Sequence, residues 1–263
     1  MLVDSHCHLN YKGVAERQAE VLANARAAGV GGFLNISTRQ SEWADVLATA
    51  EREPDVWACV GIHPHEADQH AGLTADDLLA QAAHPRVIAL GETGLDYHYD
   101  HSDRALQQAL FRTHIAVARN TGLPVVIHTR DAEEDTLAIL QEELGQGAFP
   151  ALIHCFTGTA AFGRAVLDLG LTISISGIVT FKNARDLQEF VTTIPADRLL
   201  LETDSPFLAP VPHRGKPCEP AFVRDTARFV AALRGEQPEH LADITTGNFR
   251  ALFSKAATVQ ATP

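Results

Sequence analysis

Apolar positions gather into short, β-rich runs that recur along the chain: LVDSHCH (2–8), GGFLNIS (31–37), VWACVGIH (56–63), VIALGETGLD (87–96), PVVIHTR (124–130), ALIHCF (151–156), LTISISG (171–177) and LLLETDSP (199–206). Each has the length of a strand. Their apolar character is nearly continuous, as in strands buried on both faces. Between them the apolar spacing lengthens to that of helices in AERQAEVLANARAAG, SEWADVLATAEREP, HSDRALQQALFRTHIAVARNTG and RDAEEDTLAILQEELG, several of which close on Gly or Pro. Strand and helix alternate, and eight such units at this length predict an α/β fold, a closed (β/α)8 TIM barrel rather than an open doubly wound sheet.

The 263 residues, 46% of them apolar, suffice for one such barrel, and no interdomain linker interrupts them. The expectation is one catalytic domain over 1–263, with KAATVQATP, from about 255, as a frayed tail. No leader-like start and no uninterrupted apolar stretch of ~18 residues is present, so a membrane partner is not expected. Cys7, Cys59, Cys155 and Cys218 form no paired motif and are expected as buried, inert thiols of a cytoplasmic protein. A formal charge of −12 excludes a protein that coats long nucleic acid by neutralising phosphates. It leaves open a grip on a single chain end, because bound cations reverse the local field.

The ionisable residues cluster where the predicted strands end. Strand one ends in His6 and His8, strand three in His63 and His65, strand four contains Glu92, strand five ends in His128 and Arg130, strand six has His154, and strand eight carries Glu202 and Asp204. In an extended strand alternate side chains share a face, so Asp4, His6 and His8 are expected to point the same way. A lone strand histidine is usually a hydrogen-bonded core residue. Histidines and carboxylates converging from five strand ends on one barrel mouth are costly to desolvate unless paired or metallated. Neutral imidazole suits transition-type divalent ions and a carboxylate can bridge two of them, so two divalent cations are expected. Histidine-rich ligation leans toward Zn, Mn, Fe or Co, with Mg favoured only by abundance.

The order HxH on strand one, Glu on strand four, His on strands five and six and Asp on strand eight resembles the amidohydrolase superfamily. More narrowly, DSHCHL, GIHPH, GETGLDY, PVVIHTR, HCFTGT, ISISGIVTFKNA, LLLETDSPFLAPVPHRGKPCEP and TTGNF together resemble the TatD family of metal-dependent deoxyribonucleases. HxH alone is a weak signal, whereas ETDSP with GETGLDY is specific. The resemblance implies His6, His8 and Asp204 at one metal, His128 and His154 at the other, and Glu92 as the bridge. It also implies hydrolysis of DNA phosphodiesters, often from the 3′ end. Where the family commonly has RGKRNEP this chain has RGKPCEP, so Pro217 and Cys218 replace a basic and an amide residue on the side expected to meet a strand.

Beside the metals, His63 is expected to reach the site, orienting a ligand or holding a phosphate, while His65 stabilises its loop. Arg130 shares the parity of His128 and suits a phosphate oxygen or a rim salt bridge. Glu202 shares a face with Asp204, and either orients a ligand or is a buried acid paired within the barrel. Tyr97 is a candidate lining of the substrate cleft. Arg214 and Lys216 either meet a phosphate backbone or form a solvated basic turn, and His70, His84, His98, His101, His114 and His240 are expected at the surface. The mechanism expected has a water activated between two cations, Asp204 as general base, and a single-stranded DNA end or another phosphodiester as substrate. Oligomeric state is not encoded legibly. The competing readings are an amide, ester or lactone hydrolase, including D-aminoacyl-tRNA deacylation, and a non-enzymatic binding protein. The complete ligand set disfavours the last.

Overall fold

The structure is a computed structural model and describes residues 1–259. The eight apolar runs are strands: β1 (Leu2–Cys7), β2 (Val30–Ile36), β3 (Val56–Val60), β4 (Val87–Asp96), β5 (Val125–Arg130), β6 (Ala151–Ile153), β7 (Thr172–Ile175) and β8 (Leu199–Leu201). They form one parallel sheet in chain order. The chain just past β8 meets β1 through a Cys7–Ser205 bridge, a 2.9 Å hydrogen bond from His8 N to Ser205 O, and a 3.0 Å bond from Asp204 N to His6 O. These contacts bring the last strand end against the first.

One helix follows each strand: α1 (Gln18–Ala27), α2 (Trp43–Arg52), α3 (Ala75–Ala82), α4 (Arg104–Thr121), α5 (Glu133–Gln146), α6 (Ala160–Asp168), α7 (Arg185–Val191) and α8 (Val223–Arg234). Two more, α9 (Pro238–Leu252) and α10 (Lys255–Val259), complete the described chain. Capping fixes several helix starts. Thr74 and Asp77 form a capping box on α3, and the Asp103 carboxylate accepts the Leu106 N–H at the start of α4. Alternate strand residues feed two buried layers. Val56, Val60, Val125 and Ile127 belong to the large cluster that includes the helix stripes, while Leu34, Trp57, Ile88, Val126, Leu152 and Leu200 form a second with Phe249 and Phe253.

That second cluster corrects the expectation of a frayed tail from about 255. Residues Lys255–Val259 are helical, Ala256 is buried, and the Lys255 ammonium donates to Ala82 O and His84 O at 2.7 and 2.8 Å. Burial of Ala256 beside Phe249 and Phe253 is what holds the segment. Residues 260–263 of the expected tail lie outside the described residues. Among the described residues no helix is long and apolar enough to cross a membrane.

Two register slips position the chemistry. Between Asp4 and Cys7 three residues of β1 oppose two of β2, and between Leu90 and Thr93 three residues of β4 oppose two of β5. His6 lies in the first interval and Glu92 in the second. Such bulges end strict alternation and re-aim a side chain, a device common beside active sites. Asp4 consequently does not join the histidines: its carboxylate accepts the Thr203 N–H at 2.9 Å and the Thr203 hydroxyl at 2.6 Å, tying β1 to the chain after β8.

Candidate metal centre

His6, His8, His63, Glu92, His128, His154 and Asp204 come together at the C-terminal mouth of the barrel. Glu92 is at the middle, with a different set of imidazoles on each carboxylate oxygen. Its Oε2 lies 3.4 Å from His6 Nε2 and 3.8 Å from His8 Nε2. Its Oε1 lies 2.8 Å from His154 Nε2, 3.0 Å from His128 Nδ1 and 3.4 Å from His63 Nε2. Asp204 Oδ1 completes the first group, 3.4 Å from His8 Nε2 and 3.6 Å from His6 Nε2. Asp204 takes φ +58°, in the left-handed region, and its N–H is held by His6 O.

Two sets of potential ligand atoms therefore share one carboxylate: His6–His8–Glu92 and His63–Glu92–His128, with the atoms of each within 4.8 Å of one another. A third such set is His6–His154–Glu202. The donor chemistry fits divalent cations, since imidazole nitrogens and carboxylate oxygens converge in largely buried surroundings. Outer hydrogen bonds orient the rings. His154 Nδ1–H donates to the fully buried Glu202 at 3.2 Å, and His128 Nε2–H to Asp96 Oδ2 at 3.0 Å. His8 Nδ1–H faces Ile36 O at 3.3 Å. Each of these three rings thus keeps its other nitrogen for the centre, the arrangement by which metal-binding histidines are fixed in one tautomer.

Electrostatics reinforce the arrangement. Burial alone would raise the Glu92 carboxyl, but the charge of His154, the nearby His63 imidazole and hydrogen bonds from His128 and His154 outweigh it and hold it well below the usual carboxylate range. Burial likewise opposes ionisation of Asp204 and is outweighed by the hydrogen bond from His8 and the nearby imidazoles, so this carboxyl is also lowered. Burial opposes a charge on His154, yet Glu92 and Glu202 on either side raise its pKa well above the ordinary value. His63 moves the other way: burial pushes it down to about 4. Its Nδ1 accepts the His65 N–H at 3.1 Å, so Nε2 carries the proton of the neutral ring.

Above these groups opens a cavity of about 680 Å³. His63 and Arg130 line it, as does His65, whose Nε2 donates to Asp96 at 2.9 Å. The loop role expected of His65 is also present, since Ser102 Oγ donates to its carbonyl. Cys155, expected as a buried thiol, is partly exposed in the cavity lining, and burial holds its pKa well above the ordinary thiol value. Tyr97 does not reach the cleft. Its hydroxyl donates to Asp135 at 2.7 Å and accepts from Gln108 at 2.8 Å, so α4 and α5 hold it outside, and Tyr99 stands at the mouth instead. Arg214 and Lys216 are not brought to the cavity either, and Arg214 lies 4.4 Å over the Phe181 ring. Cys218 is buried with its N–H on Pro206 O, so at this position the departure RGKPCEP offers packing and not a side chain facing the cavity. His114, expected at the surface, is fully buried on α4.

Asp96 is the site residue that sequence reasoning passed over. A signal existed: in GETGLD it has the parity of Glu92, and it closes the same strand.

The sequence profile of the family described as TatD related DNase matches residues 3–254. The chain belongs to the TatD family. It is a metal-dependent hydrolase of the TatD type. It is 46% identical over 256 residues to an uncharacterized metal-dependent hydrolase of Escherichia coli, YcfH, covering 96% of this chain and 95% of that one. It is 36% identical over 258 residues to a Salmonella typhimurium protein named 3′-5′ ssDNA/RNA exonuclease TatD, covering 96% and 98%. Among solved structures, the TatD homolog YjjV of E. coli superposes with a TM-score of 0.89 at 27% identity, covering 96% of this chain and 98% of that chain. An organophosphorus hydrolase of Deinococcus radiodurans shares the fold, with a TM-score of 0.64 at 18% identity, covering 96% and 92%.

Proposed function

We propose that this TatD-family chain shortens single-stranded DNA from a free 3′ end by hydrolysing the terminal phosphodiester, using two divalent cations that share Glu92. The observation that carries this reading is the division of Glu92: one oxygen faces His6 and His8, the other His128 and His154. His6, His8 and Asp204 would hold one cation, His128 and His154 the other. Bound there, such cations would supply Lewis acidity, lowering the pKa of a water and offsetting charge on the phosphoryl oxygens.

The chain's own groups supply the rest. Asp204, kept ionised by His8 and His6, accepts the proton of the attacking water at its carboxylate. The neutral His63 presents Nε2–H toward the same space, suited to a non-bridging oxygen that gains charge in the transition state. Glu202 and Asp96 hold the rings of His154 and His128 so that neither swings when substrate enters. The relative named a 3′-5′ ssDNA/RNA exonuclease supports the choice of bond and end.

The test is to offer the metal-loaded protein an end-labelled single strand alongside a panel of amides, esters and lactones. The expected result is stepwise loss from the 3′ end, abolished by chelator and restored by Mn, Co or Mg. Full activity in protein shown by elemental analysis to be metal-free, or turnover confined to the amides and lactones, overturns it.

A further inference from the structure

Three aromatic side chains are exposed among the described residues, Tyr11 at 44%, Tyr99 at 49% and Phe207 at 41%, and all three line the cavity above the histidines. Every other Phe, Tyr and Trp is buried or half-buried. Scattered exposed apolar groups need no explanation, but their confinement to one mouth marks a surface that something covers.

They form two shelves. Tyr11, after β1, and Phe207, after β8, meet edge to face with ring centroids 5.1 Å apart, and Phe207 lies 6.2 Å from the ring of His8. Tyr99, after β4, lies 5.4 Å from the ring of His65, stacks on His101 with ring centroids 5.5 Å apart, and carries the Arg130 guanidinium 4.7 Å from its ring centre, so the outer surface of this stack is the shelf. With eight strands in chain order, the β1/β8 side of a barrel stands opposite the β4/β5 side. The shelves therefore face each other across the mouth, with Glu92 between them. One abuts His8 on the Oε2 side of Glu92. The other abuts His65, which shares Asp96 with His128 on the Oε1 side.

The geometry points to a pair of nucleobase platforms: we propose that the two nucleosides flanking the scissile phosphodiester stack one on each shelf, Tyr11–Phe207 and Tyr99–Arg130. This rests on the phosphodiester reading above and names how its substrate is gripped. Only an unpaired, unstacked base offers a free face to such shelves, so the occupant is a single-stranded end and not duplex. Arg130, expected at a phosphate oxygen or in a rim salt bridge, lies over Tyr99, with Nη1 3.3 Å from its hydroxyl, and so extends the platform by a stacked guanidinium.

The test is equilibrium binding of a short single strand, its 3′-terminal linkages replaced by uncleavable methylphosphonates, to the metal-loaded protein. The same strand with its two terminal bases removed serves as partner. Wild type should prefer the strand with bases by about ten- to a hundredfold for each stacked base. Tyr99→Ala should erase the preference at one of the two terminal positions, and Tyr11→Ala combined with Phe207→Ala at the other, whereas Tyr99→Phe should keep it. A preference that survives both alanine sets overturns the proposal, as does an equal loss on the strands with and without bases. Wild-type cleavage of the ordinary strand, measured in parallel, separates the two claims. Base-dependent binding without any cleavage sinks the exonuclease reading and leaves the platforms standing. Cleavage with no base dependence does the reverse.

Discussion

Replacing His114 by Leu tests the electrostatic reasoning at a site away from the histidine centre. His114 is fully buried in α4, its Nδ1–H donating to Leu110 O at 2.7 Å and its Nε2 accepting the Ile62 N–H at 3.2 Å. It thereby fixes the backbone just before His63. Burial pushes its pKa from 6.5 down to about 4. The ring is neutral in the fold and takes up a proton on unfolding between those two values, so the unfolded state binds more protons and stability rises with pH across that window. The contribution is complete above 6.5 and is lost as pH falls toward 4. For these two constants the loss is about 2 kcal/mol at about pH 5 and approaches about 3 kcal/mol below the folded value.

Leu does not titrate. At about pH 7.5 the His114→Leu variant should be less stable than wild type by about 1–3 kcal/mol, because the buried Ile62 N–H loses its acceptor. At about pH 5 that gap should close by about 2 kcal/mol, since only the wild type has lost the His114 contribution. The assay is urea unfolding followed by circular dichroism at both pH values, in chelator so that proton competition with bound metal does not enter. A gap that stays constant across the window would refute the assignment of His114 as a buried neutral ring.

Three further outcomes are expected. Asp204→Asn keeps an oxygen but removes the base, so kcat on a single-stranded end should fall by ~10²–10⁴ while most bound metal remains; loss of both together would make Asp204 chiefly a ligand. Asp96→Asn leaves the tautomers of His128 and His65 unset, and metal affinity, measured by competition with a chromogenic chelator, should fall by about 10- to 100-fold; unchanged affinity would remove Asp96 from the centre. Gly94→Ala would place a Cβ 2.1 Å from the His128 carbonyl oxygen at φ +132°, where side chains are rarely tolerated, and should cost more than about 2 kcal/mol and lower metal content through His128; a melting temperature and metal content like wild type would show that β4 and β5 part there freely.

The regular part of this molecule was legible because a parallel barrel repeats one rule. Strands buried on both faces read as continuous apolar runs, and each of the eight runs overlaps its strand. The strand ends were legible for the same reason: apart from Asp4, the ionisable residues that interrupt the apolar runs stand where the runs reach the mouth. His114 was legible in principle, since Gln107, Leu110, Phe111, His114 and Ala118 form one buried stripe of α4, a spacing that puts position 114 inside. What periodicity does not carry is the conformation of the short connections. Tyr97 and Tyr99 both follow β4, and only the hydrogen bonds of Tyr97 to Asp135 and Gln108 decide which of them faces substrate. The helix at Lys255–Val259 was hidden because five residues are too few to display a helical period, and the barrel floor that buries Ala256 is built by Phe249 and Phe253.

The bulges mark the deeper limit. Alternation correctly brings His8 and Asp204 to the mouth but wrongly adds Asp4, because β1 slips register on both sides of Asp4, whose carboxylate turns to Thr203. A second slip, in β4, falls around Glu92. A strand with strict period two spaces same-face side chains ~6–7 Å apart. His6 and His8 bring their Nε2 atoms to 3.3 Å, and Glu92 stands within 3.8 Å of both. Of the four register slips in the sheet among the described residues, the one in β1 that spans His6 and the one in β4 that spans Glu92 fall at the centre, and they help aim these two side chains at one point.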